Sequence, residues 1–273
     1  MLHALLLAGA LAGNGVAEKT PAAPEVMATP IFRSYGVADG LPSADVYSVT
    51  QDYAGYLWIG THAGLVRYDS QNFKVFRHVP DQPASLPAND VSALLIDRDG
   101  HLWVGGEGTG LNLYEPATGG FRHWMHDPEQ AHSLAGNDVM AIVQDGSGAI
   151  WVGAYAGGLN KLDTDHRGFS HLRHVHGDPA SLASDNVIAL AAAADGGLWI
   201  GTDAGLDRMD PGGNVRPVEL PNVKTRPSVW QVRVDDDGVD AATSAGLFHV
   251  DASGKAVRIG PAGEVFASLR GRQ

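Results

Sequence analysis

One nonapeptide occurs four times along the chain, and this repetition restricts the fold more than any other feature. Each copy ends in an aromatic and β-branched segment, and successive copies lie 45 to 48 residues apart when measured between their tryptophans. Such a period is typical of repeat proteins, in which each unit buries its apolar face against its neighbours. The copies are DYAGYLWIG from Asp52, DRDGHLWVG from Asp97, DGSGAIWVG from Asp145 and AADGGLWIG from Ala193, with their tryptophans at Trp58, Trp103, Trp151 and Trp199.

The nonapeptide has the pattern of a tight turn followed by a β-strand. A glycine three residues before each tryptophan supplies the positive φ that a short hairpin turn needs. After the turn, Leu57 and Ile59 fall on one face of the chain and Trp58 on the other, which is the period of a strand. We therefore expect the tryptophans to pack between repeats. The turn glycines are Gly55, Gly100, Gly148 and Gly196.

Each repeat divides into four short β-prone segments, and a fifth, degenerate repeat has Asp240 in place of the tryptophan. Four antiparallel strands in a unit of this length predict an all-β fold, a β-propeller of four-stranded antiparallel blades. About five blades are predicted, and the end segments at residues 31–35 and 263–269 would add only half a blade. Two alternatives follow: the ring is incomplete and the chain is a piece of a longer protein, or the two end segments pair and close a small ring. The blades are predicted near residues 46–79, 91–126, 139–175, 187–219 and 229–259.

The charge and composition exclude several classes of partner. The formal net charge is −12 with only 19 lysines and arginines in 273 residues, which disfavours nucleic acid and anionic membrane surfaces. There is no cysteine, so the chain has neither a disulfide framework nor a thiolate metal site. We expect no cofactor and no metal.

The N-terminal segment has the composition of an export signal. An apolar run from Leu2 to Ala12 is too short to span a bilayer and precedes small residues that suit cleavage. We predict a signal peptide at residues 1–17, a proline-containing linker at 18–30 and the propeller domain at 31–273. No later apolar stretch is long enough for a membrane span, so we expect an exported domain without one.

The residue pattern of the first repeat resembles that of a known family. Gly-Leu-Pro-x-x-x-Val at 40–46, Asp-x-x-Gly-x-Leu-Trp-Ile-Gly-Thr at 52–61 and Gly-Leu-x-Arg-Tyr-Asp at 64–69 are similar to the two-component regulator propeller repeat. The resemblance covers about residues 31 to 260. It implies the periplasmic ligand-sensing region of a hybrid histidine kinase or diguanylate cyclase of a Gram-negative bacterium. It further implies a small extracellular solute, with a glycan as the ligand class, and a downstream signalling domain as partner.

Two sets of residues are candidates for ligand contacts. The first set changes from blade to blade on this constant framework, and such variation is how repeat proteins build one asymmetric binding surface. The first set lies in the loops between the second and third strands, and the second set lies in the loops between blades. We predict that these residues bind the ligand. They are His62, Glu107, Tyr155 and Asp203 in the first set, and Asp45, Asp90, Asp138 and Asn186 in the second.

Two other functions stay open on the sequence alone. Some propellers are lyases or lactonases that use a histidine with acidic partners at the channel mouth, whereas others bind proteins and no small ligand. Nucleophilic catalysis has no support, because the chain lacks a Gly-x-Ser-x-Gly elbow and any cysteine. We expect kinase or cyclase activity only in a domain outside this chain.

Histidines and acidic turns are two further groups of potential metal ligands. The three histidines His78, His126 and His174 recur at one blade position, so they point from separate blades and we expect polar surface positions on the outer strand. The acidic runs at 97–100 and 235–238 are expected to cap turns, since neither has the distal glutamate that closes a calcium loop.

Overall fold

The computed structural model describes residues 33–267. The predicted signal peptide, at 1–17, and the predicted linker, at 18–30, lie outside the described residues. By its internal contacts the chain divides into Met1–Ser34 and Tyr35–Gln273, and every strand belongs to the second unit. No helix in the described part is both long and apolar enough to cross a lipid bilayer.

Twenty β-strands follow one another, with one short 3-10 turn, Val37–Asp39, before the first of them. All twenty are short, as expected for blades whose strands are broken by turns every few residues. Their bounds are β1 Val46–Gln51, β2 Leu57–Thr61, β3 Gly64–Tyr68, β4 Phe73–Phe76, β5 Ala93–Ile96, β6 Leu102–Gly105, β7 Leu111–Glu115, β8 Gly120–Trp124, β9 Val139–Gln144, β10 Ile150–Ala154, β11 Gly158–Leu162, β12 Phe169–Leu172, β13 Val187–Ala192, β14 Leu198–Thr202, β15 Gly205–Met209, β16 Val215–Val218, β17 Val229–Val234, β18 Gly238–Thr243, β19 Gly246–Asp251 and β20 Ala256–Ala262.

The strands form five four-stranded sheets, each an antiparallel meander of four consecutive strands. We number these sheets as blades 1 to 5 in chain order. The prediction of four-stranded antiparallel blades is confirmed, and so is the positive φ of the turn glycines, for example 85° at Gly100 and 91° at Gly196.

Each repeated aspartate organises the turn and the tryptophan that follow it. One carboxylate oxygen of Asp97 accepts hydrogen bonds from the main chain of Asp99 and His101, and the other accepts from the indole of Trp103. Burial works to raise the pKa of Asp97, but these hydrogen bonds outweigh it and the pKa is lowered. The aspartate therefore caps the turn, as predicted, and also fixes the orientation of the indole.

The tryptophans pack between blades, as the repeat pattern predicts. Trp58 is 2% exposed, and its ring centroid lies 5.0 Å from that of Tyr114 in blade 2. Trp103 belongs to a cluster with Ile150 and Phe169 of blade 3. Trp199, whose repeat has lost the aspartate, also clusters with Phe248 of blade 5, and the guanidinium of Arg208 lies 5.1 Å from its ring centroid.

Neighbouring blades also meet where a valine of one faces a glycine of the one before it. Val91 begins the inner segment of blade 2 and is fully buried. A Cβ added to Gly60 would lie 2.4 Å from the carbonyl oxygen of Val91, so this close backbone approach admits only glycine. Val139, Val187 and Val229 are buried in the same way against blades 2, 3 and 4.

The innermost strands β1, β5, β9, β13 and β17 pack side by side in that order, whereas among residues 33–267 no comparable packing joins β17 to β1. Val46, which corresponds to the buried valines, is 43% exposed. The main chain of Val265 donates to the carbonyl of Thr243 at 2.9 Å, just as Val91 donates to Thr61 at 3.0 Å. Val265 thus occupies the place that Val46 would need in order to close blade 1 onto blade 5.

The recurrent histidines are exposed, as predicted, but they lie two residues after the outer strand and not on it. They follow the outer strand and hold the loop that leads to the next blade, because Nδ1 of His78 donates to the carbonyl of Leu86 at 2.9 Å. The main chain of His78 donates to Oδ1 of Asn89 at 2.8 Å. The asparagine of the interblade loop therefore binds the preceding outer segment. His126 and His174 repeat the contact with Leu134 and Leu182.

Candidate functional site

A cavity of about 800 Å³ opens where the inner strands of the five blades begin. Its volume is in the range of sites that hold small molecules. All five blades contribute to the wall, together with one residue of the segment that follows blade 5. The described lining residues are Val46, Tyr47, Asp90, Ser92, Glu107, Asp138, Met140, Tyr155, Ile188, Trp230 and Phe266.

Much of the wall comes from one repeated position, the residue directly after the inner valine. In blades 1, 3, 4 and 5 the register shifts at this residue, so it forms a β-bulge. A bulge leaves its extra residue out of the ladder and re-aims the side chain, so the valine packs between blades while the next residue lines the cavity. The bulge residues are Tyr47, Met140, Ile188 and Trp230, and the corresponding residues of blade 2 and of the last segment are Ser92 and Phe266.

These six residues were not predicted from the sequence. A bulge at the second residue of a strand shifts the alternation of only the one residue before it, so periodicity does not reveal it. A signal was present nonetheless, because a constant valine is followed each time by a different residue. The ring of Phe266 stacks on that of Trp230, with centroids 5.9 Å apart, and this contact joins the last segment to the cavity wall.

The structure brings four of the eight predicted ligand residues to the cavity, namely Asp90, Glu107, Asp138 and Tyr155. His62 lies beside them, and its Nδ1 donates to Oδ2 of Asp90 at 2.9 Å. This hydrogen bond and the charge of Asp90 raise the pKa of His62. Partial burial, then the charge of Asp90 and of neighbouring carboxylates, raises the pKa of the Tyr47 phenol. The cavity mouth is therefore a region of negative potential.

The other three predicted residues do not line this cavity. Asn186 donates from Nδ2 to Oδ2 of Asp203 at 2.6 Å, so these two side chains bind each other. The second carboxylate oxygen of Asp203 is buried and has no partner among residues 33–267. Asp45 is exposed, and its main-chain carbonyl accepts from His62 at the edge of blade 1.

Two groups of acidic and histidine residues within residues 33–267 have ligand atoms close enough to share an ion: Asp97 with Asp99 and His101, and Asp235 with Asp240 and His249. The carboxylate of Asp97 already accepts from its own turn and from Trp103. In the second group, Oδ1 of Asp240 lies 2.8 Å from Nδ1 of His249. Hydrogen bonds within the blades account for both groups.

Four segments of the chain match the model of the two component regulator propeller family, at residues 40–63, 85–108, 133–156 and 181–204. The matches cover the interblade loop, the inner two strands and the loop after them in blades 1 to 4. They thus contain all eight residues that the sequence analysis selected as ligand contacts.

Two proteins of signalling systems are similar to this chain. A segment of 56 residues, 20% of this chain, is 38% identical to Histidine kinase P4 of Formosa agariphila and spans 4% of that protein. The crystal structure of an extracellular domain assigned to a hybrid two component system of B. thetaiotaomicron is 25% identical, with a TM-score of 0.73. That match covers 85% of this chain and 32% of the other, so this chain spans about a third of the solved domain.

The fold also occurs in an enzyme. The structure of a virginiamycin B lyase from Staphylococcus aureus has a TM-score of 0.60 over 80% of this chain and 70% of the lyase, with 15% identity. At that identity the likeness concerns the propeller fold alone.

Proposed function

The chain carries four two component regulator propeller repeats, and from this premise we propose that it is the extracytoplasmic ligand-sensing domain of a two-component-type signalling protein. It binds a small solute in the cavity at the start of the inner strands. The kinase or cyclase that answers this signal resides in another domain.

The observation that carries the proposal is the composition of the cavity wall. Five blades with one backbone plan each present a different residue at one position, so a repeated framework yields an asymmetric pocket. Apolar surface with a few polar groups is the usual make-up of a ligand site. The resemblance to sensor repeats favours an extracellular glycan as one class to be tested.

The position of the cavity provides a route by which ligand binding acts on a further domain. A solute in contact with several blades binds best to one arrangement of those blades and thereby shifts the population toward it. Blade 1 and the segment at Phe266 both contact the cavity, and Val46, on the flank of blade 1 away from blade 2, lines it. A change in the cavity therefore reaches the flank on which a further domain would dock.

The proposal is tested by screening solutes for their effect on the melting temperature, beginning with oligosaccharides, because a ligand that prefers the folded state raises it. Tyr47→Ala and Trp230→Ala should abolish the rise that a binding solute produces in the wild type. Ile259→Ala, an exposed apolar truncation on β20, is the matched control and should keep the rise. A rise that survives in both cavity variants would place the ligand elsewhere and contradict the proposal.

Export to the periplasm of a Gram-negative bacterium is part of the proposal. Its support is the composition of residues 1–17 and the similarity to an extracellular domain. Expression with and without residues 1–17, followed by cell fractionation, tests it. The whole chain should reach the periplasm and the shortened chain should remain in the cytoplasm, whereas equal distribution would refute export.

A catalytic function is the second candidate, because His62 and Asp90 form a hydrogen-bonded pair beside the cavity. A histidine near a carboxylate can transfer protons during an elimination or a lactone hydrolysis. Assays with lactones and cyclic depsipeptides, using the wild type and His62→Ala, separate the two functions. Turnover by the wild type that His62→Ala loses would favour the enzyme over the sensor.

A further inference from the structure

The charged groups of the cavity wall all have one sign. Asp90, Glu107 and Asp138 line it, and among the described lining residues there is neither lysine nor arginine. Three carboxylates from neighbouring segments at one mouth repel one another unless a cation lies between them. This imbalance restricts the solutes that the cavity accepts.

The groups around these carboxylates neutralise them only in part. His62 donates to Asp90, and the main chain of Gly108 donates to Asp138 at 2.8 Å. No hydrogen bond or ion pair from residues 33–267 reaches the carboxylate of Glu107, which is exposed. At least one full negative charge at the mouth therefore has no counterion from the described protein.

The rest of the wall is aromatic and aliphatic. Tyr47 and Tyr155 are about half exposed, at 51% and 48%, so part of each side chain is accessible to a ligand. Aromatic faces attract cations, and the apolar remainder of the wall favours an apolar body.

We propose that the solute is an organic cation, an amine or guanidine carried on an apolar or aromatic body, with its charge held among Asp90, Glu107 and Asp138 and its body against the ring of bulge residues. The inference rests on the proposed sensing function and names its ligand class. A neutral sugar would stack on the aromatic residues but would gain nothing from the carboxylates. An anion of the same shape would be repelled.

The experiment compares three probes that share one phenyl-alkyl body and differ in charge: 2-phenylethylamine, 2-phenylethanol and 3-phenylpropanoate. Binding to the 273-residue chain is measured by isothermal titration calorimetry at low salt. The amine should bind about tenfold more tightly than the alcohol, and the acid should not bind. Added salt should weaken binding of the amine and leave that of the alcohol unchanged.

Two matched variants locate the effect. Glu107→Gln removes the uncompensated charge at an exposed position and should lower the affinity for 2-phenylethylamine about fivefold. Glu115→Gln removes an exposed carboxylate at the end of β7, away from the cavity lining, and should leave the affinity unchanged.

The possible outcomes distinguish failure of the cationic ligand class from failure of the proposed sensing function. Suppose that 2-phenylethanol or a neutral oligosaccharide binds as tightly as the amine and that Tyr47→Ala abolishes this binding. The proposal of a cationic ligand is then refuted, whereas the proposal that the cavity binds the solute is supported. If neither the probes nor the oligosaccharides bind in the cavity, both proposals fail.

Discussion

The indole Nε1 of Trp103 donates to Oδ2 of Asp97 at 2.9 Å, across the turn that separates them by six residues. The same bond joins Asp52 to Trp58 at 2.8 Å and Asp145 to Trp151 at 2.7 Å. One carboxylate thus stabilises the turn and orients the tryptophan of the following strand, which packs between blades.

Asp97→Ala should lower the free energy of unfolding by about 2–3 kcal/mol, because it leaves a buried indole N–H and two turn amides without their acceptor. Urea denaturation followed by tryptophan fluorescence measures the loss. Asp99→Ala, two residues later at an exposed position of the same turn, is the control and should cost less than about 0.5 kcal/mol. Equal losses for the two variants would show that the bond to Trp103 contributes nothing.

Gly60→Ala should destabilise the contact between blades 1 and 2 by about 1–3 kcal/mol, since the new methyl group would overlap the carbonyl of Val91. Gly36→Ala makes a fair comparison, because a Cβ there has nothing within 4 Å. Melting curves of both variants test the pair. A Gly60→Ala variant as stable as the wild type would mean that the blades are not packed this closely.

The blade architecture could be predicted from the sequence because the same pattern recurs along much of the chain. Four tryptophans at a near-constant spacing predicted the blades, and the glycines before them predicted the turns. The β-bulges were not predicted, since a bulge such as Tyr47, at the second residue of its strand, shifts the alternation of only one residue. The role of His78 was missed because its partner, the carbonyl of Leu86, is a main-chain group that any residue could supply.

The candidate site was predicted only in part for the same reason. Loop position indicated Asp90, Glu107 and Asp138, which the structure places on the cavity. Loop position alone could not separate these from Asn186 and Asp203, whose side chains bind each other. Such pairing depends on the distance between neighbouring blades, which no single repeat encodes.

Two histidines should make stability fall as the pH is lowered. Burial lowers the pKa of His123 and of His171, with partial compensation from the carbonyls of Pro83 and Ala131. Below about pH 6.5 the unfolded chain therefore binds protons that the folded chain does not, so the free energy of unfolding decreases as the pH falls. Above that pH the contribution of the two neutral histidines is fully present. The lowered pKa values of Asp97 and Asp145 act only in a more acidic range.

Melting temperatures at pH 7.5 and pH 5.5 measure this effect. The difference between the two should shrink in His123→Gln combined with His171→Gln, whereas His176→Gln, at an exposed loop position, should leave it unchanged. A difference that the double variant retains in full would assign the pH dependence to other groups.

The central claim is that the cavity formed by the bulge residues is where this domain meets its solute. Fluorine NMR on protein labelled with 5-fluorotryptophan tests it directly, with the Trp230 resonance assigned from Trp230→Phe and the spectrum titrated with a solute that raises the melting temperature. We predict that the Trp230 resonance shifts in proportion to bound solute while the resonance of Trp103, buried between blades 2 and 3, stays in place. A Trp230 resonance that does not move at saturation would contradict the account.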